Sequence, residues 1–384
     1  MSSSLDQEDQ VAVISRSLTC NEYSFYLSGI ERVQEDTPVY RPSRHNCTAS
    51  EEEEELLHPL QPTFTKDQEN WFPGTEDDSS VVLCKSNCLK SHFRSLSFSC
   101  ASICGTNHRL LRQPNQDRYC SLFIPPFSYA FGVFDGHGIY GGDAAEVAAN
   151  SLLPFLSDEL QRGTAPHFAL DRAFRHASTV LDSSPFGLNS GTTATVVLVS
   201  RDEVFVSNVG DSGVVLGRRI PQEARSLKVE STSSVGEYAV EEESGDFYWE
   251  GCFITESHRL ESLEERSRIE SSGAFIDGEY IVNRHGKGGA LNLTRTLGDM
   301  DMRSCGVLAD PFISHLALGP YDKFLIMATD GLWDSHDRKL SPQNIVDIVA
   351  NKLCCTKDAC RQLLQLAEED GPFDDCTVIF ALFS

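Results

Sequence analysis

Long apolar runs are missing from this 384-residue sequence. A helix that crosses a bilayer needs about 20 consecutive apolar residues, so we predict no membrane span. The first residues, MSSSLDQEDQ, have neither the basic segment nor the apolar core of a secretory signal, and no glycine for myristoylation follows the first methionine. These absences predict a cytoplasmic and/or nuclear protein.

Basic residues are also scarce. The 32 Lys and Arg stand against 57 Asp and Glu, which gives a formal net charge of -25. Because so acidic a surface repels phosphate backbones, we expect no nucleic-acid partner. Thirteen cysteines are present, but no two form a Cys-x-x-Cys pair. No zinc module is therefore indicated, and the thiols are expected to be reduced.

The acidic charge is concentrated at the start of the chain. Residues 1–80 contain 17 Asp and Glu and only five Lys and Arg, with a run of glutamates at 51–55. Low hydrophobicity with high net charge is typical of disorder. We therefore predict an acidic, largely disordered extension over 1–80. A folded domain is predicted over 81–384, with an acidic insertion loop at 218–250.

Apolar segments separated by turn residues predict both strands and helices in the folded domain. Residues 192–200, 204–209 and 213–216 read as a β-meander, and Asp143 is a candidate N-cap for an alanine-rich helix. This mixture predicts an α+β domain of two sheets with helices packed outside. Further strands are predicted over 129–134, 323–329 and 377–383, and further helices over 166–181, 260–272, 341–354 and 356–370.

Aspartates stand at the ends of several predicted strands. Asp135 and Asp330 each follow an apolar strand and precede a glycine, Asp374 closely precedes the last strand, and Asp117 lies near the start of the domain. Mg²⁺ and Mn²⁺ take oxygen ligands from a few carboxylates, and a glycine lets the backbone approach an ion closely. These residues together predict a metal site. Taken singly, each motif also fits a loop with a solvated aspartate.

Six further motifs follow one another along the chain: FDGHG at 134–138, GTTATVVLV at 191–199, VGDSG at 209–213, LTRTLGD at 293–299, ATDGLWD at 328–334 and DDCTV at 374–378. With these motifs in this order, the chain resembles the metal-dependent serine/threonine protein phosphatases of the 2C type. The resemblance covers about residues 98–384 and implies a central β-sandwich of two mainly antiparallel sheets flanked by helix pairs, in four α-β-β-α layers.

The resemblance implies roles for individual residues around two divalent ions, Mg²⁺ or Mn²⁺. Asp135 is expected to bridge the two ions, and the carbonyl of Gly136 to bind the first. Asp330 and Asp374 are expected to bind the second, and Asp117 to hold metal-bound water.

The resemblance also implies a reaction. A water or hydroxide bridging the two ions would attack the phosphorus of phosphoserine or phosphothreonine. Arg112 would bind the phosphate because a guanidinium offers a charged donor fork, and His137 would protonate the leaving hydroxyl. The expected partners are phosphorylated proteins, and we expect a monomer. A flap-like loop beside the active site is implied for 281–296.

Two positions, Ser257 and Asp375, depart from the family pattern, and a third, Asp211, is not predicted to bind an ion. Ser257 replaces an aspartate expected to hold a third ion with Asp334, so a third site is predicted to be weak or absent. Asp375 replaces a usual asparagine and adds charge beside the second ion. We interpret Asp211 as a turn residue and not as a ligand. These departures leave two alternatives open: a catalytically weak or inactive scaffold, or a different metal-dependent hydrolase.

Overall fold

The computed structural model describes residues 71–72, 81–85, 95–126, 128–223, 246–284, 289–334, 340–350, 355–369 and 373–383, all within one compact unit, Pro62–Ser384. Nearly all of the predicted extension over 1–80 lies outside these residues, so its disorder stays a prediction. None of the helices in the described ranges is long and apolar enough to cross a membrane.

The described residues form strands and helices throughout the predicted domain. The strands are β1 (Trp71–Phe72), β2 (Val81–Lys85), β3 (Leu96–Ile103), β4 (Arg118–Ile124), β5 (Ser128–Phe134), β6 (Gly136–Gly138), β7 (Ser190–Thr192), β8 (Ala194–Ser200), β9 (Glu203–Val209), β10 (Gly213–Pro221), β11 (Phe247–Phe253), β12 (Phe275–Asp277), β13 (Tyr280–Val282), β14 (Ala290–Leu291), β15 (Leu297–Gly298), β16 (Phe312–Ala317), β17 (Asp322–Ala328) and β18 (Cys376–Phe383). The α-helices are α1 (Thr106–Leu111), α2 (Gly141–Gln161), α3 (Pro166–Asp182), α4 (Leu263–Ser271), α5 (Asp330–Trp333), α6 (Pro342–Ala350) and α7 (Thr356–Glu369), and a 3₁₀ helix covers Met300–Cys305.

Two six-stranded sheets form the centre of the fold. The first has the strand order β1-β4-β5-β8-β9-β16 and the second β11-β10-β17-β18-β3-β2. Every neighbouring pair in both sheets is antiparallel. The pairing of β1 with β4 brings the backbone of Trp71–Phe72 into the first sheet, although the sequence analysis placed these residues in the extension.

Four layers follow from where the apolar side chains point. Strand residues that face inward, such as Phe131 and Leu216, fill the space between the two sheets. The opposite face of the first sheet is covered by α2 and α3 through small and apolar residues, and that of the second sheet by α6 and α7. The predicted four-layer α-β-β-α architecture is therefore confirmed.

The predicted meander over 192–216 is only partly right. β8 and β9 form a hairpin, but the chain then crosses to the other sheet, where β10 pairs with β11 and β17. Gly210, at a φ of 91°, begins the crossing, in a backbone region that glycine adopts without steric cost. Because of this crossing, Asp211 lies where the two sheets approach each other.

The bounds predicted for the insertion loop, 218–250, include residues that belong to strands. β10 and β11 pair in register from Val215↔Phe253 to Pro221↔Phe247, so both ends of the predicted loop belong to strands. The residues at 224–245 lie outside the described part of the chain. The aromatic residues of FYWEGCF favour a strand, and this is the signal that the acidic composition of the segment obscured.

A small unit beside the sandwich contains the predicted flap-like loop at 281–296. It combines α4 with the three-stranded sheet β12-β13-β14 around a separate apolar cluster that includes Ile269, Ile281 and Leu293. Residues 285–288 lie outside the described ranges.

The alanine-rich helix begins two residues before the predicted N-cap. Its first residue is Gly141 and its N-cap is Tyr140, so Asp143 lies in the first turn, where its charge still complements the helix dipole.

Candidate metal centre and active site

Strands from both sheets end at one cavity. Asp135 follows β5 of the first sheet, Asp330 begins α5 directly after β17, and Asp374 precedes β18 of the second sheet. These three aspartates line a cavity of about 420 Å³ together with His137 and Asp211. The structure therefore brings the three predicted carboxylate ligands together, and it adds Asp211, which the sequence analysis treated only as a turn residue.

Asp117 lies buried next to these carboxylates. It is 1% exposed, and its Oδ2 accepts a hydrogen bond of 2.8 Å from the Thr329 hydroxyl. The same hydroxyl accepts the Thr377 amide at 2.9 Å, which links the ends of β17 and β18. The other oxygen, Oδ1, has no hydrogen-bond partner in the described part of the chain. A buried, unpaired carboxylate oxygen is costly unless water or a cation satisfies it.

The carboxylates raise one another's pKa. Burial raises the pKa of Asp135 well above its usual range, and the charges of Asp117, Asp330 and Asp374 raise it further. Burial, Asp211 and Asp374 likewise raise the pKa of Asp330 to about 8. The carboxylates are thus buried and repel one another, so a bound cation would stabilise their charged forms. Oxygen ligands of this kind suit a hard divalent cation. The residues fit the expected metal centre.

Gly136 allows the chain after Asp135 to pass close to the start of α2. A Cβ atom at this position would lie 2.1 Å from the carbonyl oxygen of Gly141, at the start of α2. Any side chain would therefore push the Asp135 loop away from the helix. This close approach is a structural reason for the glycine, independent of the ligand role predicted for its carbonyl.

His137 is held by a carboxylate. Its Nε2 lies 2.6 Å from Oδ2 of Asp299, which is buried. Burial lowers the pKa of His137, but the charges of Asp299, Asp211 and Asp330 outweigh this effect, so that the net shift is upward. Asp299 closes the LTRTLGD motif, and nothing in the sequence indicates its pairing with His137.

Gly191 leaves room for the contact between Asp299 and His137. A Cβ on Gly191 would lie 2.1 Å from Asp299 Oδ2. Asp299 itself has a φ of 48°, and its amide donates to the Ser190 carbonyl at 3.1 Å. The tight packing of β7 against this loop therefore directs the carboxylate toward His137.

Arg112 is exposed and does not line the cavity. It ends α1 as a left-handed C-cap with a φ of 54°. The structure does not bring its side chain together with the aspartates, so its phosphate-binding role stays a prediction.

Arg259 is a site residue that the sequence analysis missed. Its three guanidinium nitrogens each contact a different carboxylate. Nε lies 2.5 Å from Asp211 Oδ2, Nη2 lies 2.9 Å from Asp330 Oδ2, and Nη1 contacts Asp334 Oδ2. Asp334, predicted as a weak ligand of a third ion, is thus paired with an arginine.

Ser257 does not line the main cavity. It lines a second cavity, of about 430 Å³, with Arg259 and Asp334. Asp211 and Asp330 line both cavities, so the second cavity adjoins the carboxylate group.

Asp375 does not leave its charge unpaired. One oxygen accepts the Gly105 amide and the other the Gln116 amide, both at 2.6 Å. His108 Nδ1 lies 2.8 Å from Oδ2, and this contact raises the pKa of His108. Asp375 therefore fixes the segment before Asp117, with His108 as its partner.

The sequence of the domain matches one family. Residues 126–375 match protein phosphatase 2C. Probable protein phosphatase 2C 2 of Arabidopsis thaliana is 30% identical over 281 residues, which cover 70% of this chain and 63% of that protein. Protein phosphatase 1K, mitochondrial, of Xenopus laevis is 31% identical over 287 residues, which cover 71% of this chain and 65% of that protein. The match thus spans just under two thirds of these relatives.

Solved structures share the fold. The serine-threonine phosphatase 2C from Toxoplasma gondii superposes with a TM-score of 0.55 at 18% identity, covering 80% of this chain and 100% of that chain. A sex determining protein of C. elegans superposes with a TM-score of 0.52 at 21% identity, covering 75% and 64%. The family match over 126–375, which is more than half of the chain, establishes that this chain belongs to the protein phosphatase 2C family.

Proposed function

We propose that this chain is a metal-dependent protein phosphatase that hydrolyses phosphoserine and phosphothreonine in proteins. The observation that carries the proposal is the single cavity in which Asp135, Asp330 and Asp374 meet His137. Membership of the family supports the reaction class, and the crowded carboxylates support the dependence on a divalent cation.

Two divalent ions, Mg²⁺ or Mn²⁺, would be held by the strand-end carboxylates. Asp135 would bridge them, with the Gly136 carbonyl on one ion, Asp330 and Asp374 on the other, and Asp117 through water. When bound, such ions supply Lewis-acid polarisation of the phosphate and lower the pKa of coordinated water. The unpaired Oδ1 of Asp117 supports its part in this set.

The chain's own residues supply proton transfer and orientation. Hydrolysis forms a bond between a water oxygen and phosphorus and breaks the bond from phosphorus to the serine or threonine oxygen. His137 gives that oxygen its proton, and the upward shift of its pKa keeps more of the imidazole protonated near neutral pH. Asp299 fixes the ring and stabilises its charged form. Arg112 is proposed to bind the phosphate from the end of α1.

The test is hydrolysis of a phosphothreonine peptide by the full chain with millimolar Mn²⁺ or Mg²⁺. We expect turnover that EDTA abolishes and that Asp135→Asn removes. Asp158→Asn, an exposed position on α2, is the control and should keep full activity. If the folded chain shows no turnover with either ion, the proposal is wrong and the scaffold alternative is favoured.

A further inference from the structure

Three carboxylates beside the proposed metal centre share one guanidinium. Asp211 lies in the crossing between β9 and β10, and Asp330 and Asp334 lie at the two ends of α5. Arg259 stands between them, with its side chain only 16% exposed. Each of its contacts goes to a different carboxylate, whereas an ordinary bidentate pair places two nitrogens on one carboxylate.

The charges in this cluster need a cation. Asp211 is buried, and its carboxylate repels those of Asp330 and Asp334. The three carboxylates hold the pKa of Arg259 above its usual value although burial lowers it, so the guanidinium remains charged. Removal of the guanidinium would therefore leave three neighbouring carboxylates uncompensated.

The guanidinium occupies one of the two carboxylate oxygens of Asp330. Arg259 contacts Oδ2 of Asp330, and no hydrogen bond to its Oδ1 occurs among the described residues. Because Asp330 lines the cavity with Asp135 and Asp374, its second oxygen remains for an ion there.

We propose that the guanidinium of Arg259 takes the place of a divalent ion among Asp211, Asp330 and Asp334, so that this chain binds two ions and not three. This inference rests on the proposed two-ion centre. It also gives a reason for the missing third ion that differs from the substitution at Ser257: the carboxylates that a third ion would use are already occupied. Arg259 is in this view a positioning residue for Asp330.

A purely structural role makes a different prediction. If Arg259 only tethered the β9–β10 crossing to α5, its removal would lower stability and leave the number of bound ions unchanged. If it replaces an ion, its removal opens a site with three carboxylates, and divalent ions compensate the lost charge. The number of bound ions therefore distinguishes the two roles without reference to activity.

The experiment is calorimetric titration of the full chain with Mn²⁺, with native mass spectrometry to count the ions. We expect two Mn²⁺ on the wild type, three on Arg259→Ala, and two again on Arg259→Ala combined with Asp211→Asn. Arg259→Gln is a second variant that keeps an N–H donor, in case the alanine variant does not fold, and it should also bind three.

The matched control is Arg218→Ala. Arg218 donates to the buried Asp322 at 2.7 Å toward the other end of β10, so its removal also uncovers an aspartate, and it should leave two ions. Three Mn²⁺ on the wild type, or two on both folded Arg259 variants, would overturn the inference and leave the proposed function intact. A wild type that binds no Mn²⁺ would overturn both.

Discussion

His137 and Asp299, separated by 162 residues in the chain, are joined by a contact of 2.6 Å between Nε2 and Oδ2. The pair joins β6 to the residue that follows β15, and both residues line the same cavity. A buried carboxylate on an imidazole fixes the orientation of the ring and favours its protonated form. The acid catalysis proposed for His137 should therefore depend on Asp299, which itself takes no part in bond making.

Asp299→Asn should slow hydrolysis of a phosphothreonine peptide about tenfold or more, since general acid catalysis contributes roughly 100- to 10,000-fold. The loss of the negative charge lowers the pKa of His137, so the alkaline limb of kcat should move to lower pH. Hydrolysis of an aryl phosphate, whose leaving group needs no proton, should fall much less. Asp310→Asn, at an exposed position, is the control. Equal losses on both substrates would contradict the positioning role.

Gly191→Ala should reproduce the same selective loss. The added Cβ would lie 2.1 Å from Asp299 Oδ2 and 2.6 Å from the Leu297 carbonyl, so the carboxylate must move away from His137. The pH profile and the ratio of peptide to aryl phosphate turnover measure this displacement. Gly319→Ala is a suitable comparison because its Cβ would meet the nearest atom at an ordinary 3.6 Å. A Gly191 variant with wild-type pH dependence would show that the loop accommodates the methyl group without moving the Asp299 carboxylate.

His258 should make the domain sensitive to acid. It is buried, and its Nδ1 accepts the Gly210 amide at 3.1 Å. Burial, with a smaller effect from Arg295, lowers its pKa to about 4. The imidazole of His258 binds its proton at a higher pH in the unfolded chain than in the folded domain. The contribution of the neutral, buried imidazole to the free energy of unfolding is therefore complete above pH ~6.5. It declines as the pH falls toward ~4, by about 3 kcal/mol in all.

Urea unfolding at a series of pH values measures this effect. His258→Asn keeps an acceptor for the Gly210 amide but cannot titrate in this range, so the variant should lose less stability than the wild type between pH 7 and pH 4. Parallel losses in the two proteins would show that other groups dominate acid unfolding.

Glu265→Gln should loosen the small unit beside the sandwich. Glu265 is buried, and it accepts hydrogen bonds from Arg268, Arg295 and Thr294. Burial raises its pKa, but these three donors lower it far more. Loss of the charge should cost about 3 kcal/mol, and amide exchange should rise in α4 and around Thr294. Glu264→Gln, the exposed neighbour, should change neither. Exchange confined to the sandwich strands would be inconsistent with this assignment.

The sequence predicted those site residues whose signal is local. Asp135 and Asp330 stand out because an apolar strand ends at an aspartate and a glycine follows, a pattern visible within a few positions. The helix predicted over 166–181 is also confirmed, because α3 covers Pro166–Asp182. Periodicity and turn residues carry such information directly.

Partnerships between distant residues could not be predicted in this way. His108 meets Asp375 across 267 residues, and Arg259 lies 71 residues before Asp330. No local pattern marks either pair, because each depends on how the two sheets are stacked. The strand crossing after β9 was missed for the same reason: a turn motif does not say which sheet the next strand joins.

The two sheets contribute to the proposed metal centre from opposite sides. Asp135 extends from β5 of one sheet, and Asp330 and Asp374 flank β17 and β18 of the other. A cation held by all three would be a cross-link between the two sheets, in addition to the apolar side chains that pack between them. Any sliding of one sheet over the other changes the spacing of these oxygens. The affinity for the proposed metal ions should therefore depend on how the two sheets are aligned. A substitution deep between the sheets, at Phe131 for example, should alter this affinity although it changes no aspartate.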